Sequence, residues 1–282
     1  MCRSNSGNGQ RDAAMDIAAI DWNEVWREKR KKRLASGRGP RHWDKRAPSF
    51  AEHAPKSDYA RAFLEIMKPV RTWTVLDMAC GPGTLALPLA QKVKSVTAVD
   101  FSDKMLAILE ERLAESRTTN VRTLRARWED DWDAAGIGLH DVVVASRSLN
   151  VDDLQAALSK LCRACRKRVY LSIIVGDGPF DRRIFAAIGK EFVPLPDYVY
   201  VYNLLYRMGI YANVSFISEK HDRTFENFEE ALESVKWMTT EITPEQENKL
   251  ASYLKAHLVS HDGKWRFDYD FRVRWAVIWW EK

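Results

Sequence analysis

The sequence predicts an α/β fold: a mostly parallel sheet covered by helices on both faces. Two observations carry this. Between residues 74 and 175, short apolar runs of strand length alternate with stretches of helical period, and the connections are short. The first of these runs ends in glycine punctuation that opens a helix. Composition agrees. A chain of 282 residues, 46% hydrophobic and 29% charged, with 13 Gly and 10 Pro, is an ordinary globular protein, not a disordered, collagenous or low-complexity one. Its length suits one large α/β domain with additions, or two small ones, with a core burying roughly 75% of the unfolded surface.

The elements follow in order. Asp21 can cap a helix that carries Trp22 and Trp26 on one face. After a loop at Gly37-Arg38-Gly39-Pro40, a second helix is expected over 55–68, with Ala60, Phe63, Leu64 and Met67 as its apolar face. Residues 74–78 read as a buried strand, 83–92 as a helix and 95–100 as a second strand. Ser102 caps a long helix to about 116, and 121–126 and 141–146 are the third and fourth strands. Residues 152–165 are helical and 169–175 form the fifth strand. Beyond it, 196–208 is expected as a helix, 211–218 as a strand, and 225–238 and 244–258 as two helices. Pro244 at a first helical position and acids in the first turn mark the start of the second. The run 271–280 is apolar on both faces, which places it inside the sheet.

The domain reading is a polar, disordered leader over 1–20, a helical extension over 21–70, and an α/β domain over 71–282 with a helical insert at about 225–260. The start has no apolar stretch of signal-peptide type, and no run approaches the roughly 18 apolar residues of a membrane span. Cys2, Cys80, Cys162 and Cys165 are too few for a disulfide framework, so a reducing cytoplasm is the expected setting. Of the net charge of +5, the stretch from Glu24 to Arg46 carries ten Lys or Arg against three acids. That segment is either a phosphate- or nucleic-acid-binding arm or a solvated helix face. Its helical spacing and two tryptophans favour the second.

Ligands of open parallel sheets bind at the carboxyl ends of the strands. That edge holds the motif Val75-Leu-Asp-Met-Ala-Cys-Gly-Pro-Gly-Thr-Leu-Ala86. Gly81 to Ala86 alone satisfies G-x-G-x-x-A, and Asp100 stands about where a ribose-binding acid would follow. Both would suit a nicotinamide dinucleotide. Asp77 separates the readings: a carboxylate at the mouth of the strand repels a pyrophosphate but suits a ligand with an ammonium group.

A strand ending in an acid, small residues and Gly-x-Gly resembles the class I S-adenosylmethionine-dependent methyltransferases; here the motif is Leu-Asp-Met-Ala-Cys-Gly-Pro-Gly at 76–83. Val99-Asp100-Phe-Ser102, followed by Met105-Leu106, is similar to the family's second motif. The resemblance spans about 71–175 and continues more weakly to the C-terminus. It implies a Rossmann-like, doubly wound sheet of seven strands with the last antiparallel, and S-adenosyl-L-methionine as cofactor with S-adenosyl-L-homocysteine as product. It implies that Asp77 holds the methionine ammonium, that the backbone at Gly81 and Gly83 passes beneath the cofactor, that Asp100 takes the ribose hydroxyls and that Phe101 flanks the adenine. Ala79 and Met105 complete that set. Trp128 and Glu129 fall where the family contacts adenine, although packing alone would also account for Trp128. Ser146 and Arg147 follow the fourth strand, where the family closes over the methionine and faces the methyl group, which makes Ser146 a cofactor-binding candidate and Arg147 a substrate or lid candidate.

The acceptor is argued mainly from absences. The Asn/Asp-Pro-Pro-Tyr/Phe loop of adenine methyltransferases and the Pro-Cys loop of cytosine-C5 enzymes are both missing after the fourth strand. A small-molecule acceptor is therefore expected. The alternatives are an RNA- or protein-directed enzyme or a non-catalytic cofactor-binding module using the basic segment, with an NAD-dependent oxidoreductase behind them. Residues 42–50 resemble the lid of small-molecule members, making Trp43, Phe50 and Tyr59 lid candidates, with plain packing the alternative. Asp177, in the loop after the fifth strand, and Tyr198 and Tyr202 in a tyrosine-rich segment are further acceptor candidates; a turn or capping role is open to Asp177, and an amphipathic packing role to the tyrosines. Together they predict a mostly aromatic pocket with few charges for a planar or apolar acceptor. No catalytic residue stands out among His42, His53 and His221. The Cys162/Cys165 pair has no partner pair for a metal, and Cys80 needs only to be small.

Overall fold

In the computed structural model, residues 17–34, 58–220, 224–239 and 242–282 are described. Thr74–Met78 (β1) is the strand from which the rest is placed. It pairs in parallel with Ser95–Asp100 (β2) on one side and His140–Ser146 (β4) on the other. Val121–Arg125 (β3) extends the sheet beyond β2, and Cys165–Ile174 (β5) beyond β4, both parallel. Asn213–Lys220 (β6) is an edge, and Arg272–Glu281, the last strand of the chain (β10), lies between β5 and β6 and runs antiparallel to both. The order is β3-β2-β1-β4-β5-β10-β6. This is the Rossmann-like, seven-stranded, mostly parallel sheet expected, with its last strand antiparallel and internal. The direction of winding reverses between β1 and β4, where a crevice opens at the carboxyl edge.

Side chains alternate across the strands and feed two cores. Leu76, Met78, Val143 and Ala145 face a layer formed by helices Trp22–Leu34 (α1), Leu154–Ala164 (α5) and Tyr198–Arg207 (α7). Val75, Val142, Val144 and Tyr170 face Tyr59–Met67 (α2), Ala86–Ala90 (α3) and Asp103–Glu115 (α4). Asp77 shares the face of Val75, and Ser146 and Ser172 share the face of Val144 and Tyr170. The alternation thus sets three polar residues on one face at one edge.

α1 is capped by Asp21, whose Oδ1 accepts from the Asn23 and Glu24 amides at 3.1 and 3.0 Å. Trp26 is buried, and its indole N–H donates to the Val151 carbonyl at 2.8 Å. The turn Ile17–Ala19 is 3₁₀, so regular structure lies within the expected leader; the remainder of that leader, residues 1–16, lies outside the described residues, as do 35–57 of the expected extension.

The additions to the sheet are richer than the two helices of the expected insert. Arg182–Ala187 (α6) was not expected, nor was a small antiparallel sheet of Thr224–Phe225 (β7), Leu258–His261 (β8) and Lys264–Phe267 (β9), in the order β7-β9-β8. With Phe228–Lys236 (α8) and Pro244–His257 (α9) they enclose a third core of Phe180, Ile184, Phe185, Leu250, Leu254 and their neighbours. Thr243 and Gln246 close the capping box at the start of α9. β6 runs parallel to β5, so it ends, and β10 begins, at the carboxyl edge. The insert therefore leaves and rejoins the sheet on the side of the crevice.

Candidate active site

The loop after β1 is made by backbone conformation. Ala79, Gly81 and Gly83 have φ of 57°, 55° and 86°, and the Cys80 amide donates to the Val99 carbonyl of β2 at 2.9 Å. The two glycines are needed for different reasons. A Cβ on Gly83 would lie 2.5 Å from Leu109 Cδ1, so Gly83 lets α4 close onto the loop. A Cβ on Gly81 would meet nothing within 4 Å. It would project into the open space of the crevice, which marks Gly81 as the close-approach position.

Asp100 locks this loop to β2. It is 5% exposed; its Oδ2 accepts from the Gly81 amide and its Oδ1 from the Ser102 amide, each at 2.9 Å. Ser102 in turn caps α4 by accepting from the Met105 amide at 3.2 Å, which seats Met105 beside the loop. Phe101, between them, is half-buried.

Asp77 has the opposite balance. It is 2% exposed, and its Oδ2 is buried without a hydrogen-bond partner. Burial and the Asp100 charge push its pKa up to about 7, with the Ala86 amide pulling the other way. An orphaned buried carboxylate oxygen is a site for a cation and a poor site for a pyrophosphate. The arrangement fits the ammonium end of S-adenosylmethionine and disfavours a dinucleotide.

At the other end of the crevice, the Ala126 amide donates to the Asp100 carbonyl at 3.2 Å and carries the chain on to Trp128. The Trp128 ring lies against Trp132 with centroids 5.6 Å apart, while its indole N–H is buried without an acceptor. Glu129 is exposed. Lys160 donates to the Trp128 and Asp130 carbonyls at 2.6 and 2.7 Å and pins this segment to α5.

The acceptor side differs from expectation. Tyr59 is fully buried, its hydroxyl bonded to Ser146 Oγ at 2.7 Å and Ser172 Oγ at 2.5 Å. It ties α2 to β4 and β5, and burial raises its pKa. Arg147 has φ of 54°; its amide donates to the Ser172 carbonyl and hydroxyl, both at 3.0 Å, and its guanidinium lies 4.0 Å from the Tyr59 ring centroid. Ser148 Oγ donates to the Met78 carbonyl at 3.4 Å, so the β4 loop also touches the end of β1. Asp177 is not a free carboxylate at the crevice: Arg182 Nη2 donates to its Oδ1 at 2.7 Å, and Arg182 Nε bonds Oδ2.

The expected tyrosine wall does not form. Tyr198 packs edge-on against Phe216 of β6, and Tyr200 against Trp22. Tyr202 is exposed and Tyr206 more so, because α7 spends its buried face on Val201, Leu204 and Leu205; Tyr211, beyond the helix, is exposed as well. Trp43, Phe50, His42, His53 and His221 lie outside the described residues. Sequence reasoning missed Ser172 and Trp275. A lone serine in the otherwise apolar stretch Val169–Ile174 was the available signal for the first; nothing local marks Trp275 among the apolar residues of β10.

A family model described as "Methyltransferase domain" matches residues 75–168, from β1 into β5. An uncharacterized protein of Haemophilus influenzae is 36% identical over 250 residues, covering 86% of this chain and 89% of that one. An uncharacterized methyltransferase of Mycobacterium tuberculosis is 38% identical over 104 residues, 36% of this chain and 49% of that one. Among solved structures, a candidate methyltransferase of Bacillus halodurans superposes with a TM-score of 0.54 at 16% identity, covering 79% of this chain and 98% of that one, a likeness of fold. With the orphaned Asp77 carboxylate, the Asp100-locked glycine loop and the strand order already in place, these matches make the chain a member of the class I S-adenosylmethionine-dependent methyltransferases.

Proposed function

We propose that the protein methylates a small molecule, bound between the β4 loop, the β5 loop and the insert. The cofactor, when bound, would supply a sulfonium methyl group, to whose carbon an acceptor nucleophile bonds in line as the carbon–sulfur bond breaks and the neutral thioether leaves. The chain's own contribution is positioning: Asp77 for the ammonium, Gly81 for close backbone approach, Asp100 for the ribose, and Ser146 to Ser148 for the wall facing the acceptor. Orienting the two reactants accounts for much of the rate of such a displacement, so a dedicated base is needed only for an acceptor that enters protonated.

The observation that carries the small-molecule reading is the use of the basic helix. A phosphate-binding arm needs free cations, and α1 commits Arg27, Arg30 and Lys31 to carboxylates of the chain itself. Arg30 is buried, donating to Asn150 Oδ1 at 2.8 Å and facing Asp152 at 3.6 Å. Arg27 pairs with Glu24 and Asp153, and Lys31 with Glu28. The contacts to Asn150, Asp152 and Asp153 dock α1 on the start of α5. No described helix is long and apolar enough to cross a membrane, and Cys80, Cys162 and Cys165 are free thiols, which suits a cytoplasmic enzyme.

The test is S-adenosylhomocysteine release from pooled small metabolites against total RNA, with RNA binding followed in a salt titration. We expect turnover with a metabolite pool and weak RNA binding. Turnover on RNA alone, with a steep salt slope, would replace the small-molecule reading.

A further inference from the structure

We propose that Arg147 is the anchor for an anionic group, a carboxylate or phosphate, on the methyl acceptor. This rests on the small-molecule reading above and narrows it to acidic acceptors, in place of the uncharged aromatic pocket that the sequence suggested.

The guanidinium sits over the corner made by two edge-on rings, 4.0 Å from the centroid of Tyr59 and 5.4 Å from that of Trp275, the rings lying 6.2 Å apart at 74° to each other. Both rings are themselves fixed. The Tyr59 hydroxyl is bonded to Ser146 and Ser172, and the Trp275 indole N–H donates to Glu219 Oε2 at 2.8 Å. Ring contacts of this kind leave the N–H donors of a guanidinium to other partners. Among the described residues, Arg147 takes part in no ion pair with a carboxylate. The neighbouring arginines of the β5 loop and α6 differ: Arg182 is paired with Asp177, and Arg183 with Asp181 at 2.9 Å. Arg147 is thus a cation whose position is built by the protein and whose charge no carboxylate among the described residues pairs with.

The backbone points the same way. Arg147 sits in the left-handed region, φ 54°, which is unfavourable for a residue with a Cβ. Two hydrogen bonds from its amide to Ser172 hold it there. A strained residue at the carboxyl end of a strand, in the loop that faces the acceptor, is where such a cost is met by function.

The anion belongs to the acceptor rather than to the methionine carboxylate of the cofactor. Asp77 lies on β1, to one side of β4. Arg147 leans to the other side, over β5 and β10, the strands that carry Ser172 and Trp275. With strands about 4.8 Å apart, that is roughly 10 Å from the strand of Asp77.

The experiment uses the full chain saturated with S-adenosylhomocysteine and follows the Arg147 Nε–H resonance by NMR, identified by its loss in Arg147→Gln. Benzoate is the anionic probe and benzamide its neutral isostere. We expect benzoate to shift the resonance saturably and to bind at least about tenfold more tightly than benzamide, a difference of about 1.4 kcal/mol. Arg147→Gln should remove that preference while changing the S-adenosylhomocysteine Kd by less than about threefold. A resonance that ignores benzoate, or answers benzamide equally, overturns the proposal. So does a tenfold loss of S-adenosylhomocysteine affinity in Arg147→Gln, which assigns the guanidinium to the cofactor. Failure of the wild-type chain to bind S-adenosylhomocysteine would instead strike the methyltransferase reading itself.

Discussion

Asp77 and Asp100 end adjacent parallel strands, and the loop between them treats their charges unequally: Asp100 holds the Gly81 and Ser102 amides, while Asp77 keeps a buried oxygen with no donor. The glycine loop is tied to one acid so that the other stays available.

The first prediction follows from that inequality. Asp77 has an ordinary pKa of 3.8 and about 7 in the folded chain. Between those values the folded state keeps a proton that the unfolded state has released. Stability therefore falls as pH rises through that window and stays low above 7. Asp77→Asn should stabilise the ligand-free protein at pH 8 by a few kcal/mol and flatten the slope between pH 4 and 7, as read by denaturant titration. Binding an ammonium ligand needs the ionised acid. Calorimetry should show wild-type affinity for S-adenosylhomocysteine falling below about pH 7, and Asp77→Asn should be weak at every pH. A wild-type affinity flat from pH 5 to 8 would refute this.

The glycines separate stability from binding. Gly83→Ala puts a methyl against Leu109 at a φ of 86°, and should lower stability by about 1–3 kcal/mol. Gly81→Ala meets no protein atom, so its stability loss should be about 1 kcal/mol, while its methyl intrudes on the cofactor and weakens binding the more of the two. Thermal denaturation and calorimetry on both variants give the two orderings; the same order in both measurements would contradict the division of roles.

A control lies at the opposite edge of the sheet. Asp141 accepts from the Thr74 amide and hydroxyl at 2.9 and 3.1 Å and faces Lys167 at 2.9 Å, joining β1, β4 and β5. These bonds, the Thr74 amide first, hold its pKa down to about 2. Its contribution is present above its ordinary pKa of 3.8 and is lost as pH falls through 2. Asp141→Ala should cost about 1–3 kcal/mol at pH 7 and leave S-adenosylhomocysteine affinity unchanged. A change in affinity would mean that the two edges are coupled.

Tyr59→Phe removes one hydroxyl that serves two buried serines. Ser172 is fully buried and loses its shortest bond, so a loss of about 1–3 kcal/mol is expected by chemical denaturation. The aromatic seat of Arg147 survives in this variant. Any benzoate preference should therefore persist in Tyr59→Phe and vanish in Arg147→Gln.

The cofactor half was legible because its determinants are local. Asp77, the glycines, Asp100 and Ser102 lie within 26 consecutive residues, and strand, turn and cap each leave a pattern at that range. Boundaries blurred where charge masked period. β5 begins at Cys165, earlier than expected, because Arg166 and Lys167 face solvent at its start. The small sheet escaped notice because β7 is two residues long and its partners lie over 30 residues downstream.

From the chain alone came the alternation of strands and helices, the acid and glycine loop that select an ammonium ligand over a pyrophosphate, and the placing of the last strand inside the sheet. These depend on periodicity and on neighbours a few residues apart. The acceptor side was settled by contacts between residues far apart in the chain. Tyr59 meets Ser172 across 113 positions, and Trp275 reaches Arg147 only because β10 inserts between β5 and β6. Which tyrosines face a site and which face water depended on the side of α7 that the sheet claimed. Burial of that kind is decided by how the layers dock, and no local spacing records it.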